Sequence, residues 1–205
     1  IDFTKINATI YNLTNRLAPG KHDIKTTVTA SGYLMDKSLI SASFHFPIDA
    51  AYGDYYYGGA LDTFDLKEIN PLLENLYFVS VTNGTANSLD FNISANEDYA
   101  EGKVKILYDD LKIDLLSKKK SDTLQMEKRG LFTMVANSVI RNSNPRYKNG
   151  YEHEGRVYFE RNIYKSPFNY WLRSIMSGVQ ATLGFKSKEL KERLRIERIT
   201  EKFLS

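Results

Sequence analysis

Along residues 76–116 apolar and polar positions alternate with a period of two, the spacing of strands that have one buried and one wet face. Tyr77, Val79 and Val81 alternate with Phe78, Ser80 and Thr82 up to Asn83-Gly84. That dipeptide tolerates the positive φ angles of a tight turn, so a β-hairpin is predicted there. The return strand sets Leu89, Phe91 and Ile93 against Ser88, Asp90, Asn92 and Ser94. After a polar turn at Asn96-Glu97-Asp98, a third run extends from Tyr99 to Leu116, with Val104, Ile106 and Tyr108 followed by Leu111, Ile113 and Leu115. Its parity slips by one at Asp109-Asp110, which predicts a β-bulge. At about 3.3 Å per residue this run would span roughly 60 Å, three times an ordinary strand, so a long and strongly twisted sheet is expected.

Upstream, Ile6, Ala8 and Ile10 alternate with Asn7, Thr9 and Tyr11, and residues 15–20 with Pro19-Gly20 read as a turn. A second hairpin is predicted from the run Ile24, Thr26, Val28, Ala30 and the run Ile40, Ala42, Phe44, Phe46, with Gly32 and Asp36-Lys37 between them and Pro47 at the end or on an edge. Residues 52–64, rich in Tyr and Gly, read as a bent strand. Asp65, with Glu68 in capping-box position, predicts a short helix near 65–75 that breaks at Asn70-Pro71 and resumes through Leu72 and Leu73.

Farther along, residues 117–129 with Lys118-Lys119-Lys120 read as a loop with a solvated surface. Residues 130–140 suit a helix better than a strand. Residues 142–150, containing Asn144-Pro145, read as a loop, and residues 155–161 as a strand with Val157 and Phe159 on one side. Ser166-Pro167 opens a helix as cap and first residue. Phe168, Trp171, Leu172, Ile175, Met176, Val179 and Leu183 form its apolar stripe up to Gly184. That stripe is expected to dock on the sheet face of Phe91, Val104, Ile106 and Ile113, burying Trp171 and Ile175.

A second, charged helix follows over 187–204, with Glu189, Arg193 and Glu197 at helical spacing. Its apolar residues divide between Leu190 with Leu194 and Ile196 with Ile199 and Phe203. It is either a terminal helix resting partly on the domain or a segment for a partner or an anionic membrane surface. The fold class expected is therefore α+β: a long twisted antiparallel sheet, curved into a groove, with a short helix near 65–75 and two C-terminal helices. Residues 1–184 form the β-rich domain and 185–205 the charged helix.

Charge changes the picture little. The 205 residues carry 28 basic and 25 acidic side chains, and the last twenty hold seven basic and four acidic ones, so the body is neutral. That excludes the broad basic face of a nucleic-acid binder. The absence of cysteine removes disulfides and thiolate metal sites, which suits a bacterial cytosol or periplasm. Asn-x-Ser/Thr triplets at Asn7, Asn12, Asn83 and Asn92 are what Asn- and Thr-rich strands produce by chance. The chain opens in a strand-like run without Met, signal peptide or membrane-spanning segment, so it is expected to be part of a larger protein with any anchor outside it.

Candidate chemistry is sparse. His22, His45 and His153 are scattered, and in Glu152-His153-Glu154 neighbouring strand residues face opposite ways and cannot share one ion. Asp109, Asp110 and Asp114 fit a solvated bulge better than a catalytic pair. Glycine-rich phosphate loops and G-x-S-x-G elbows are missing. Neither metal, cofactor nor enzymatic activity is expected.

The order Gly59-Ala60-Leu61-Asp62, Leu66 to Asn70-Pro71, Val81 to Gly84, Phe91, Gly102, Tyr108-Asp109-Asp110-Leu111, Asn144-Pro145, Phe159-Glu160-Arg161 and the helix from Phe168 to Gly184 resembles the C-terminal region of AsmA-like envelope proteins, above all Bacteroidetes-type members. The resemblance implies an inner-membrane anchor upstream and a periplasmic body of long strands forming an apolar groove. It also implies a part in phospholipid movement or outer-membrane homeostasis, with a phospholipid or other acyl chain as ligand and envelope proteins as partners. The groove candidates are Phe91, Val104, Ile106, Tyr108, Ile113, Trp171 and Ile175. The alternative is a glycan- or protein-binding module that uses Tyr52, Tyr55, Tyr56 and Tyr57 as a stacking surface.

Overall fold

Period-two alternation does build one large open sheet, every neighbouring pair of strands antiparallel. The computed structural model describes residues 2–14, 24–48, 50, 52–118, 126–147, 150–185 and 188–204. Among these the strands are β1 (Phe3–Tyr11), β2 (Lys25–Leu34), β3 (Ser38–Pro47), β4 (Tyr55–Leu61), β5 (Phe64–Asp65), β6 (Val79–Ala95), β7 (Tyr99–Lys118), β8 (Met126–Lys128) and β9 (Gly155–Glu160). The sheet order is β1-β2-β3-β4-β6-β7-β8, with β5 also on β6 and β9 also on β7. The helices are α1 (Asn70–Tyr77), α2 (Gly130–Val139), α3 (Pro167–Leu183) and α4 (Lys188–Leu204). The fold is α+β with a short helix and two C-terminal helices, as the pattern predicts. The predicted turn at 15–20, Lys119 and Lys120, and the side chains of Glu189, Ile199 and Phe203 lie outside the described residues.

The expected hairpin at Asn83-Gly84 is corrected: β6 runs through it without turning. Register slips at Val81/Asn83, Asn83/Thr85 and Ala86/Ser88 mark bulges instead. Asp110 on the facing strand has φ 54°, Gly84 has φ 136°, and the Asn83 side-chain amide donates to the Asp110 carbonyl at 3.1 Å. The parity slip on β7 therefore has its counterpart on β6, and Asn-Gly supplies positive φ for a kink shared by both strands. The reversal comes at Asn96, whose Oδ1 accepts from the backbone N–H of Asp98 (2.9 Å) and Tyr99 (3.0 Å). A Cβ on Gly84 would meet the Leu111 Cα and the Leu66 Cδ1 at 3.1 Å, in a conformation that L residues rarely adopt. Gly84→Val is expected to cost about 1 kcal/mol or more, read as a lower urea midpoint at unchanged slope.

Asp65 caps the 3₁₀ turn Leu66–Ile69 through the Lys67 N–H at 2.9 Å. Glu68 does not complete the expected capping box but pairs with Lys37 at 2.6 Å. The break predicted at Asn70 is absent; Asn70 is helical and the turn passes straight into α1. Its side chain clamps β6, donating to the Val81 carbonyl (2.9 Å) and accepting from the Val81 N–H (2.7 Å), which holds a conformation that the following Pro71 disfavours.

The outer edge of β7 is satisfied by several devices in series. β9 pairs with Tyr99–Val104 and Asn144 bridges Tyr108. On α2, Asn137 makes two bonds to the backbone of Ile113, and the Thr133 hydroxyl accepts from Leu115 N–H. β8 takes the end. A long strand otherwise open to foreign pairing is closed by side chains.

Helix α3 docks on the sheet, with Ser166 accepting from the Asn169 N–H and Gly184 at φ 103° ending it. Its closest approach is made by small residues one turn apart, Ser174, Gly178 and Thr182. A Cβ on Gly178 would run into Val104 and Val157. The Thr182 hydroxyl donates to the Val104 carbonyl at 3.2 Å, and Ser174 shares a 2.6 Å hydrogen bond with the Tyr57 hydroxyl. Trp171 and Ile175, expected to be buried over Phe91 to Ile113, are only half-buried. Trp171 instead leans over β3 and β4, its indole N–H donating to Tyr55 (3.0 Å) and its ring 4.6 Å from that of Phe44. Helix α4 rests on β9: Leu190 is buried, Glu197 takes two bonds from Arg156, and the Arg193 guanidinium lies over the Tyr158 ring at 5.7 Å.

Candidate functional site

Bulging β6 and β7 together keeps Leu111 and Ile113 on the same face as Phe91, Val104, Ile106 and Tyr108, all of them buried. Helix α3 crosses that face at Val104 and leaves an apolar cleft on each side. The cleft toward α1 and α2 encloses about 350 Å³ and is lined by Leu73, Tyr77, Ile106, Tyr108, Ile113 and Leu183, among others. The other, toward β1–β4, encloses about 360 Å³, with Phe3, Leu34, Phe44, Phe91, Trp171 and Ile175 in its walls. Ile69 and Met176 line both. The seven groove candidates are thus brought to one face. Phe91, Trp171 and Ile175 serve one cleft, Ile106, Tyr108 and Ile113 the other, and Val104 the crossing between them.

The four tyrosines do not form one surface. Adjacent strand residues point to opposite faces, so Tyr55 and Tyr57 face inward and Tyr56 outward. Tyr57 is buried, and Tyr55 stacks between Phe46 (5.2 Å) and Tyr57 (5.9 Å). Tyr56 stacks on His45 at 4.5 Å with its hydroxyl on Lys25, and Tyr52 is exposed outside the strand. The rule that separated Glu152 from His153 applies equally to Tyr55–Tyr57.

The polar clusters are occupied by local partners. Glu152 pairs with Lys105 (3.1 Å), Glu154 with Lys103 (3.0 Å), and His153 gives its backbone N–H to Asn144. Asp109 accepts from Asn87 at 2.8 Å and Asp114 pairs with Lys128 at 2.7 Å. Among the described residues no three His, Asp or Glu side chains converge on a metal position.

No family model, curated protein or solved structure matches the chain.

Sequence reasoning missed a third, polar cleft of about 640 Å³ where β9 leads into α3, lined by Tyr77, Arg161, Arg173, Ser177 and Gln180, among others. A signal was present: Arg173, Ser177 and Gln180 repeat at helical spacing beside the apolar stripe, but nothing local says what they face.

Burial also sets the titration of the core. It raises the phenols of Tyr57, Tyr108 and Tyr170 well above the ordinary value of 10.0. The folded protein keeps these protons while the unfolded chain loses them, so stability present below about pH 10 is lost as pH rises through the folded values. Ultraviolet difference spectroscopy should show most of the 14 tyrosines ionising first, with a late group appearing only as the fold opens. A single smooth transition near pH 10 for all of them would contradict the burial.

Proposed function

We propose that the chain is a non-enzymatic module that holds an acyl chain against the apolar face of its long sheet. The observation that carries this reading is the pair of clefts beside α3, about 350 and 360 Å³, whose walls are nearly all aliphatic and aromatic. Their volumes fall in the range of small-molecule sites, about 300–1,000 Å³. A polar ligand would leave its donors and acceptors unpaired there, whereas each buried methylene of a hydrocarbon contributes about 0.8 kcal/mol. A helix from a partner fits poorly, because α1, α2 and α3 already stand on that face and leave slots between elements.

The resemblance to AsmA-like proteins supports the rest of the reading. It suggests a periplasmic location, an inner-membrane anchor elsewhere in the protein, and a part in phospholipid movement or outer-membrane homeostasis alongside other envelope proteins. Among the described residues no helix is long and apolar enough to cross a membrane.

Trp171 lines the apolar cleft toward β1–β4 and is the only tryptophan. A fatty acid brominated along its chain is expected to quench its emission at saturable, stoichiometric loading. Ala42→Phe, which fills the same cleft, should abolish the quenching without unfolding the protein. Absence of quenching, with no lipid extractable from the purified protein, would refute the reading.

A further inference from the structure

The hydroxyl of Ser177 is buried without a hydrogen-bond partner, in a residue about nine-tenths covered. A serine inside a helix ordinarily bonds the carbonyl one turn back. Its neighbours on α3 do so: Ser174 donates to the Tyr170 carbonyl (2.8 Å) and Thr182 to that of Gly178 (3.1 Å). Ser177 does not, and a buried hydroxyl left unpaired is costly to the fold. Such a cost at one position of an otherwise satisfied helix points to a partner supplied from outside.

The surroundings say what kind of partner. Ser177 lines the polar cleft, with Arg173 one turn before it and Gln180 one turn after it on the same helix face. Arg161 enters from the end of β9. Arg173 lies over the Tyr77 ring at 5.6 Å and Arg161 over the Tyr170 ring at 5.7 Å. Among the described residues neither guanidinium is within ion-pair distance of a carboxylate. Glu160 also lines the cleft, which leaves a net charge of +1 there. Two guanidiniums and a free hydroxyl are the donor set for an oxyanion.

The polar cleft also adjoins an apolar one, since Tyr77 and Gln180 line both it and the 350 Å³ slot beside α1. We infer that the two together form a site for an anionic amphiphile. Its carboxylate or phosphate lies between Arg161 and Arg173 and accepts from the Ser177 hydroxyl, while its chain passes Tyr77 and Gln180 into the slot over Ile106 and Ile113. This rests on the acyl-chain reading above and adds the charge of the head group and the end at which it sits.

Calorimetry with three probes tests it: dodecyl phosphate below its micellar concentration, dodecanol, and inorganic phosphate. Dodecyl phosphate is expected to bind about tenfold or more tighter than dodecanol, an increment of about 1.4 kcal/mol or more, with inorganic phosphate far weaker than either. The Arg161→Gln/Arg173→Gln variant should lose that advantage and keep its affinity for dodecanol. Ser177→Ala should weaken dodecyl phosphate several-fold without lowering thermal stability, since it removes a hydroxyl that no protein group uses. Equal affinities for phosphate and alcohol, unchanged in both variants, would overturn the head-group site while leaving the acyl-chain reading intact. Inorganic phosphate binding as tightly as dodecyl phosphate would overturn the link between the clefts. Failure of both alkyl probes to bind would overturn the site and the acyl-chain reading together.

Discussion

Gly155→Ala should pry α3 away from the sheet. Gly155 opens β9 opposite Val104, and a Cβ at this position would overlap the Gly178 carbonyl oxygen and meet the Thr182 N and Oγ1 at 2.6 Å. Two of those atoms are backbone, so no rotamer change relieves the clash; the helix must rise. Rising stretches the Thr182–Val104 and Ser174–Tyr57 hydrogen bonds and uncovers Val104 and Val157, both fully buried. Overpacking alone costs about 1–3 kcal/mol, and each buried bond lost adds about 1 kcal/mol, so a loss of at least about 3 kcal/mol is expected. That is a large part of the whole stability of a domain, about 5–15 kcal/mol. Urea unfolding measures it, and a red shift of Trp171 emission should accompany it as the indole leaves Tyr55 and Phe44. Gly130→Ala is the control, because a Cβ there has no neighbour within 4 Å. A wild-type midpoint for Gly155→Ala would show that α3 does not pack this closely on β9.

Asn144→Leu is the second large effect. The side chain is buried and makes three bonds to backbone: its amide donates to the carbonyls of Ile106 (2.6 Å) and His153 (2.9 Å), and its oxygen accepts from the His153 N–H (2.8 Å). Leucine keeps the branched shape, is somewhat larger, and leaves all three groups unpaired. At about 1–3 kcal/mol for each unsatisfied buried group, discounted for relaxation, the expected loss is about 3–5 kcal/mol. Asn144→Asp should not rescue, since the site needs two donors and a carboxylate would face two carbonyls. The segment from Asn142 to Asn144 should loosen, and amide exchange at Tyr108 and Leu111, which bond to Asn144 and Asn142, should accelerate together. Protection unchanged at those amides would show that Asn144 is not what seals the β7 edge.

Local chemistry carried much of the fold. Alternation placed Leu89, Phe91 and Ile93 on one face because side chains on a strand must alternate, and Ser166-Pro167 and Gly184 marked the ends of α3 because capping is satisfied within a turn. The slip at Asp109-Asp110 marked a bulge for the same reason. Where two structures share one local requirement, the sequence was silent: Asn83-Gly84 meets a demand for positive φ that a hairpin and a bulge make equally, and only the facing kink at Asp110 decides between them. The apolar stripe of α3 told which side is greasy but not where the helix approaches closest, since distance of approach follows size rather than hydrophobicity, and Ser174, Gly178 and Thr182 are small.

The sequence by itself therefore determined most of the element types, the ends of α3 and the apolar face, all set by interactions within a few residues. Tertiary structure alone decided that Tyr55 and Tyr57 lie inside and that Asn144 is sealed against Ile106 and His153. It alone brought Arg161, Arg173 and Ser177 around one cleft, because each of those outcomes depends on groups from separate elements meeting once the sheet is assembled.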